Sequence, residues 1–134
     1  MRHILPIILG SALLAGPASA AEKPLAVPLS DKAQKALDKY EPVGTTSCIP
    51  LYSVRSSRII DNTAIIYEIS SKKLYVNQPA DGTCRALKAD RALATRNPTG
   101  NLCSSDLVRV IDPPTPMDFG ACPLSEFTEY RKKQ

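Results

Sequence analysis

Four cysteines, Cys48, Cys84, Cys103 and Cys122, limit what this chain can become more than any other feature. Their steps of 36, 19 and 19 residues contain no C-x-x-C redox motif. Nor do they match the close pairs from which four-cysteine zinc sites are built. An even number of cysteines in a small exported chain predicts two disulfides, because the compartment outside the cytoplasm is oxidising. Three pairings are possible. The expected one joins Cys84 to Cys103 and Cys48 to Cys122, each closed loop contributing roughly 3–4 kcal/mol.

The start of the chain supports export. Arg2 and His3 precede an apolar run over residues 4–15, and Gly16 and Pro17 break any helix. Ala18-Ser19-Ala20 is the small-x-small pattern that a signal peptidase reads, which predicts cleavage after Ala20. The run is too short for a span, which takes ~20 apolar residues. No cysteine follows the cleavage point, so lipid attachment is not expected, and no transmembrane segment is expected elsewhere. The predicted address is periplasmic or secreted, after loss of residues 1–20. Residues 21–45 are expected to form a flexible lead with a short helix, and residues 46–134 a disulfide-bonded β domain.

Several function classes are excluded by what the exported chain would lack. Its one histidine, His3, leaves with the leader, and there is no tryptophan. Ser-His-Asp and Cys-His mechanisms are therefore closed to it, as are histidine-containing zinc sites. No metal or cofactor is expected. The net charge of +4 is mild and scattered, unlike the concentrated stripe of a nucleic-acid binder, so no nucleic-acid partner is expected. Arg131-Lys132-Lys133 reads as a solvated tail, and Lys72-Lys73 as a solvated turn.

Past the leader, Pro24 and Pro28 punctuate an aperiodic lead. Ser30 is a good helix N-cap, and Ala33, Ala36, Leu37 and Tyr40 fall on one helical face. The spacing predicts a helix over residues 31–40, ended by Pro42 and Gly44. From Cys48 the grammar turns to strands. Residues 49–60 are rich in β-formers, and Asp61-Asn62 fits a two-residue hairpin turn. Residues 63–69 form the clearest strand, with Ile65, Tyr67 and Ile69 on one face and Ala64, Ile66 and Glu68 on the other. A turn over residues 70–72 leads to a returning strand at 73–77, where Leu74 and Val76 face together, completing a three-stranded meander. Residues 78–91 read as a loop tied down by Cys84. Short strands are predicted at 92–95 and 107–111, with a turn at residues 97–100 between them and a last strand near 124–130. Pro113, Pro114 and Pro116 forbid regular structure between those last two strands. The predicted fold is mostly β: a small five- to six-stranded antiparallel barrel or curled sheet with one short N-terminal helix and two disulfides.

Some of these residues resemble a known pattern. They are Cys48-Ile49, Arg58-Ile59-Ile60-Asp61-Asn62-Thr63, Leu74-Tyr75-Val76-Asn77, Cys84, Leu102-Cys103-Ser104-Ser105-Asp106 and Cys122-Pro123-Leu124-Ser125-Glu126-Phe127. The chain resembles a family of small secreted proteobacterial proteins classed as a domain of unknown function. The resemblance covers residues 48–130 and implies a secreted, disulfide-bonded fold with no assigned activity. The chain departs from that pattern at Ser71 and Ser125, near which the family carries glycines that ease a tight turn or bulge.

Polar residues at the predicted strand ends form the most pointed constellation: Arg58, Asp61, Asn77, Asp106 and Arg109. If they converge, they make a charged pocket that holds a carboxylate or phosphate by forked guanidinium contacts. Against this, Asp61 and Asp106 are natural turn residues that bond nearby backbone amides. Acid–base pairs could be drawn from Asp61, Glu68, Asp106, Asp112 and Glu126. Tyr67 and Tyr75 fall on successive strands, as an exposed aromatic platform or a buried cross-strand pair. The leading expectation is an envelope binding or structural accessory module, acting on an envelope protein or a small anionic ligand through a sheet edge, an Arg/Asp-lined surface or the proline loop. The alternatives are a small secreted enzyme using carboxylates without histidine, and a protein inhibitor that presents the proline loop.

Overall fold

Apolar residues on both faces of one strand organise the structure. The computed structural model describes residues 28–115 and 117–134. The predicted leader and most of the predicted lead lie outside the described residues, as does Pro116. In chain order the elements are α1 (Asp31–Ala36), β1 (Tyr40–Thr46), β2 (Cys48–Pro50), a 3-10 turn (Leu51–Ser53), β3 (Ser56–Asp61), β4 (Ala64–Ser70), β5 (Lys73–Pro79), β6 (Ala92–Ala94), β7 (Asn101–Cys103), β8 (Leu107–Ile111) and β9 (Asp118–Lys132).

The main sheet runs β3-β4-β5-β9-β8-β6, all antiparallel, and curls until β6 approaches β3 to give a nearly closed barrel. The fifteen-residue β9 is its axis. Its first half pairs with β8, and its second half lies between β5 and β1. β2 and β7 form a separate two-stranded ladder, whose opposed Ile49 and Leu102 are fully buried and plug the barrel interior.

Alternation explains β4. Ile65 and Tyr67 point inward, where Phe127 meets the rings of Tyr67 and Tyr75 edge-on at 5.8 and 6.5 Å. Ala64 and Ile66 point outward and are buried too, because α1 lays Ala33 and Leu37 over them, with Ile60, Leu74 and Val76 completing the layer. A six-residue helix does not hold by itself in water, so this layer is what maintains it. Among the described residues, no helix is long and apolar enough to cross a membrane.

The fold class is as expected, and three details are corrected. The helix ends at Ala36 rather than continuing to residue 40. Tyr40 opens β1 instead, and the expected boundary near residue 45 falls inside this strand. Pro42 and Gly44, expected to end a helix, lie in an edge strand at a bulge, where the missing N–H of proline breaks no ladder. The disulfides join Cys48 to Cys103 and Cys84 to Cys122, not Cys84 to Cys103 and Cys48 to Cys122. The reason is register: Cys48 and Cys103 stand directly opposite in the β2–β7 ladder, with Cα atoms 4.0 Å apart. Cys122 faces the barrel interior on β9, within reach of the loop that carries Cys84.

Candidate functional site

Arg58, Asp61, Asn77, Asp106 and Arg109 do not form the expected pocket. Each is held by a different local partner. Arg58 stands on β3 beside Glu68 of β4, at 3.7 Å. Arg109 forks onto the exposed Asp118 across the β8–β9 pair. Asn77 is fully buried at the point where the β5–β9 register shifts. Its amide donates to the Ser125 carbonyl at 2.7 Å and accepts from the Ser125 N–H at 3.2 Å, standing in for ladder bonds. Asp106 accepts from the Cys103 N–H at 2.7 Å and from Asn97 at 3.0 Å, as a turn carboxylate does.

Asp61 is the most heavily bonded of the five. One carboxylate oxygen accepts from the Thr63 N–H at 2.8 Å and the Thr63 hydroxyl at 2.6 Å, closing the β3–β4 turn at Asn62-Thr63. The other accepts from the hydroxyl of Ser30, which in turn accepts from the Ala33 N–H and caps α1. Burial by itself would raise the Asp61 pKa. The bonds from Ser30 and Thr63, with the charge of Lys32, outweigh it and hold the carboxyl below the usual carboxylate range. At the exposed Asp118, the Gly120 N–H and Arg109 likewise lower the pKa.

Of the other residues considered for chemistry, Glu68 accepts from Ser56 and pairs with Arg58, and Asp112 accepts from Thr115. Tyr67 and Tyr75 are cross-strand neighbours buried around Phe127, so they offer no exposed platform. Burial raises the Tyr67 pKa, since its phenol has no hydrogen-bond partner among the described residues. Pro113, Pro114 and Thr115 lie exposed at the β8–β9 tip, which the Asp112 N–H closes onto the Met117 carbonyl.

The side chains that do converge are others. An open cleft of about 580 Å³ lies beside α1, lined by Lys32 of the helix, Ile60, Asp61 and Asn62 of the hairpin end, and Arg85, Leu87 and Lys88 of the loop after β5. Both walls are fixed. The Ser30–Asp61 contact anchors the helix. The loop is held by the Cys84–Cys122 bridge, by the Cys84 N–H on the Asn62 carbonyl at 2.8 Å, and by Arg91 on the Ala86 carbonyl at 2.7 Å. Leu87 is rooted in the barrel core. Among the described residues, Arg85 and Lys88 have no side-chain hydrogen bond or ion pair. Lys32, Arg85 and Lys88 come from segments more than fifty positions apart, and no local pattern joins them. A basic residue next to a disulfide-bonded Cys84 was the one available cue.

No protein-family model matches the chain, and neither the curated proteins nor the solved structures give a match.

Proposed function

We propose that this chain is an exported binding module whose cleft beside α1 takes a small amphiphilic anion, a carboxylate or phosphate carried on an apolar body. One observation carries the reading. Three cations line a cleft floored by Ile60 and Leu87, and the carboxylate there, Asp61, already accepts from Ser30 and Thr63. A cleft of this kind offers an apolar bed with positive charge at its rim, and its walls need no ordering when a ligand arrives. Arg85 supplies a planar fork suited to a carboxylate or phosphate, and the two lysines supply point charges. Two disulfides, the leader pattern expected over residues 1–20 and the resemblance to small secreted proteins support an address outside the cytoplasm.

Octyl phosphate and octanoate, titrated into isotope-labelled protein and followed by NMR, test the reading, with octanol as the uncharged control. Both anions are expected to shift the amides of Lys32, Asn62, Arg85 and Lys88, and octanol is not. Arg85→Ala combined with Lys88→Ala should weaken binding about tenfold. Shifts confined to another surface, or equal binding by the double variant, would sink the proposal.

A further inference from the structure

The two basic runs that look like separate solvated ends in the sequence meet in the fold. The β4–β5 hairpin tip carries Lys72 and Lys73, and the end of β9 carries Arg131 and Lys132, followed by Lys133. Register brings them together. Lys73 stands directly opposite Arg131, and the Lys132 N–H donates to the Lys72 carbonyl at 2.9 Å. The Lys133 N–H and ammonium donate to the Lys39 and Asp38 carbonyls at 2.9 and 2.8 Å. The five cations line one cleft of about 560 Å³ with Ser70 on its wall.

Structural duties account for only part of this charge. Lysines commonly blunt open sheet edges. Here β9 is flanked by β5 and β1, and β5 by β4 and β9, so neither strand is an edge. Glu129 lies 2.7 Å from Arg131 and 3.8 Å from Lys73, and one carboxylate balances one of these two charges. Lys73 also lies 5.2 Å from the Tyr75 ring, which holds its stem in place. Glu41 faces Arg131 from β1 across the ladder and makes no ion pair with it among the described residues. Lys72 and Lys132 have no carboxylate partner among the described residues. The cleft keeps a positive excess on a backbone whose register is fixed.

We infer that this cleft, at the hairpin and β9 end of the barrel, is a second binding site, for a group of clustered phosphates. Four lysines to one arginine is a set of point charges that tolerates varied geometry. That suits several neighbouring anionic groups better than one carboxylate held by a fork. The chemistry is shared by a free polyphosphate and by the headgroups of an anionic lipid surface.

Tripolyphosphate titrated into isotope-labelled protein tests the site. Shifts are expected at Lys72, Lys73, Arg131, Lys132 and Lys133, weakening as salt rises. Lys72→Ala with Lys132→Ala removes two exposed side chains while leaving the backbone bond between them, and should lower affinity about tenfold. Circular dichroism of the variant checks that it folds as the parent does. Shifts confined to other residues, or unchanged affinity in the folded variant, would overturn the inference. Co-sedimentation with phosphatidylcholine vesicles, with and without phosphatidylglycerol, separates the sources. Binding only to the anionic vesicles, displaced by tripolyphosphate, supports the site and assigns it to lipid headgroups. Tripolyphosphate binding without vesicle binding supports it and assigns it to free polyphosphate.

Discussion

Asp61 ties together three parts of the molecule with one side chain: the hairpin turn through Thr63, the helix cap through Ser30, and a wall of the cleft. Asp61→Ala should cost about 1–2 kcal/mol in urea unfolding at neutral pH. It should also speed amide exchange at Ala33, whose N–H depends on the oriented Ser30 hydroxyl. The pH dependence has a definite sign. Because the folded pKa of Asp61 is depressed, its contribution is present above the ordinary carboxylate value and is lost as pH falls through the folded value. The stability difference between Asp61→Ala and the parent should therefore narrow in acid. Ser105 offers the opposite kind of change. It is the only non-glycine among the described residues with positive φ, at 75°, and its N–H is engaged by the Leu124 carbonyl. Ser105→Gly keeps that bond and relieves the steric cost of the left-handed region, so the variant should gain about 0.5–1 kcal/mol in the same measurement. Ser71 and Ser125, singled out in the sequence as possible tight-turn or bulge positions, have no such backbone, and Ser125 uses its hydroxyl to bond the Gln78 carbonyl at 2.7 Å.

At the scale of elements, the two disulfides hold different things. Cys48–Cys103 joins the two strands of the small ladder that plugs the barrel, and Cys84–Cys122 pins the cleft loop to β9. Replacing Cys48 and Cys103 by Ser should cost about 2–5 kcal/mol. Exchange protection should fall first at Ile49 and Leu102, ahead of Ile65 and Val76. A uniform loss across all four amides would show that the ladder is not a separate unit. Elements with clean alternation were legible in the sequence. β4, β5 and β8 lie where the pattern put them, because one-residue alternation maps directly onto the two faces of a sheet. β1 was hidden by Pro42 and Gly44, which read as breakers but are tolerated at an edge. The first half of β9 was hidden by Gly120 and Pro123, and β7 by its three-residue length. The cleft beside α1 was illegible for another reason. Lys32, Arg85 and Lys88 become neighbours only after α1 docks and Cys84 is bridged. The hairpin turn was expected at Asp61-Asn62 and lies one residue later, at Asn62-Thr63, with Asp61 ending β3 and its carboxylate closing the turn.

Across the whole molecule, three of the seven strand pairings among the described residues, β1–β9, β2–β7 and β5–β9, join segments far apart in the sequence, and β9 takes part in two of them while also bonding to β8. Such topologies fold slowly, because long loops must close before any contact rewards the closure. The bridges are interleaved, with Cys84 lying between Cys48 and its partner, and Cys103 between Cys84 and its partner. A chain that crosses a membrane from its N-terminal end presents its thiols one at a time. In a chain exported as the leader pattern predicts, Cys48 and Cys84 would emerge first, each without its mate, and the nearest oxidation available to them would be with each other. The correct bonds require either that Cys48 stay reduced until Cys103 arrives and Cys84 until Cys122 does, or that a non-native Cys48–Cys84 bond be exchanged afterwards. For a chain exported in this way, the connectivity would make maturation sensitive to the balance between an oxidant, which traps early partners, and an isomerase, which releases them.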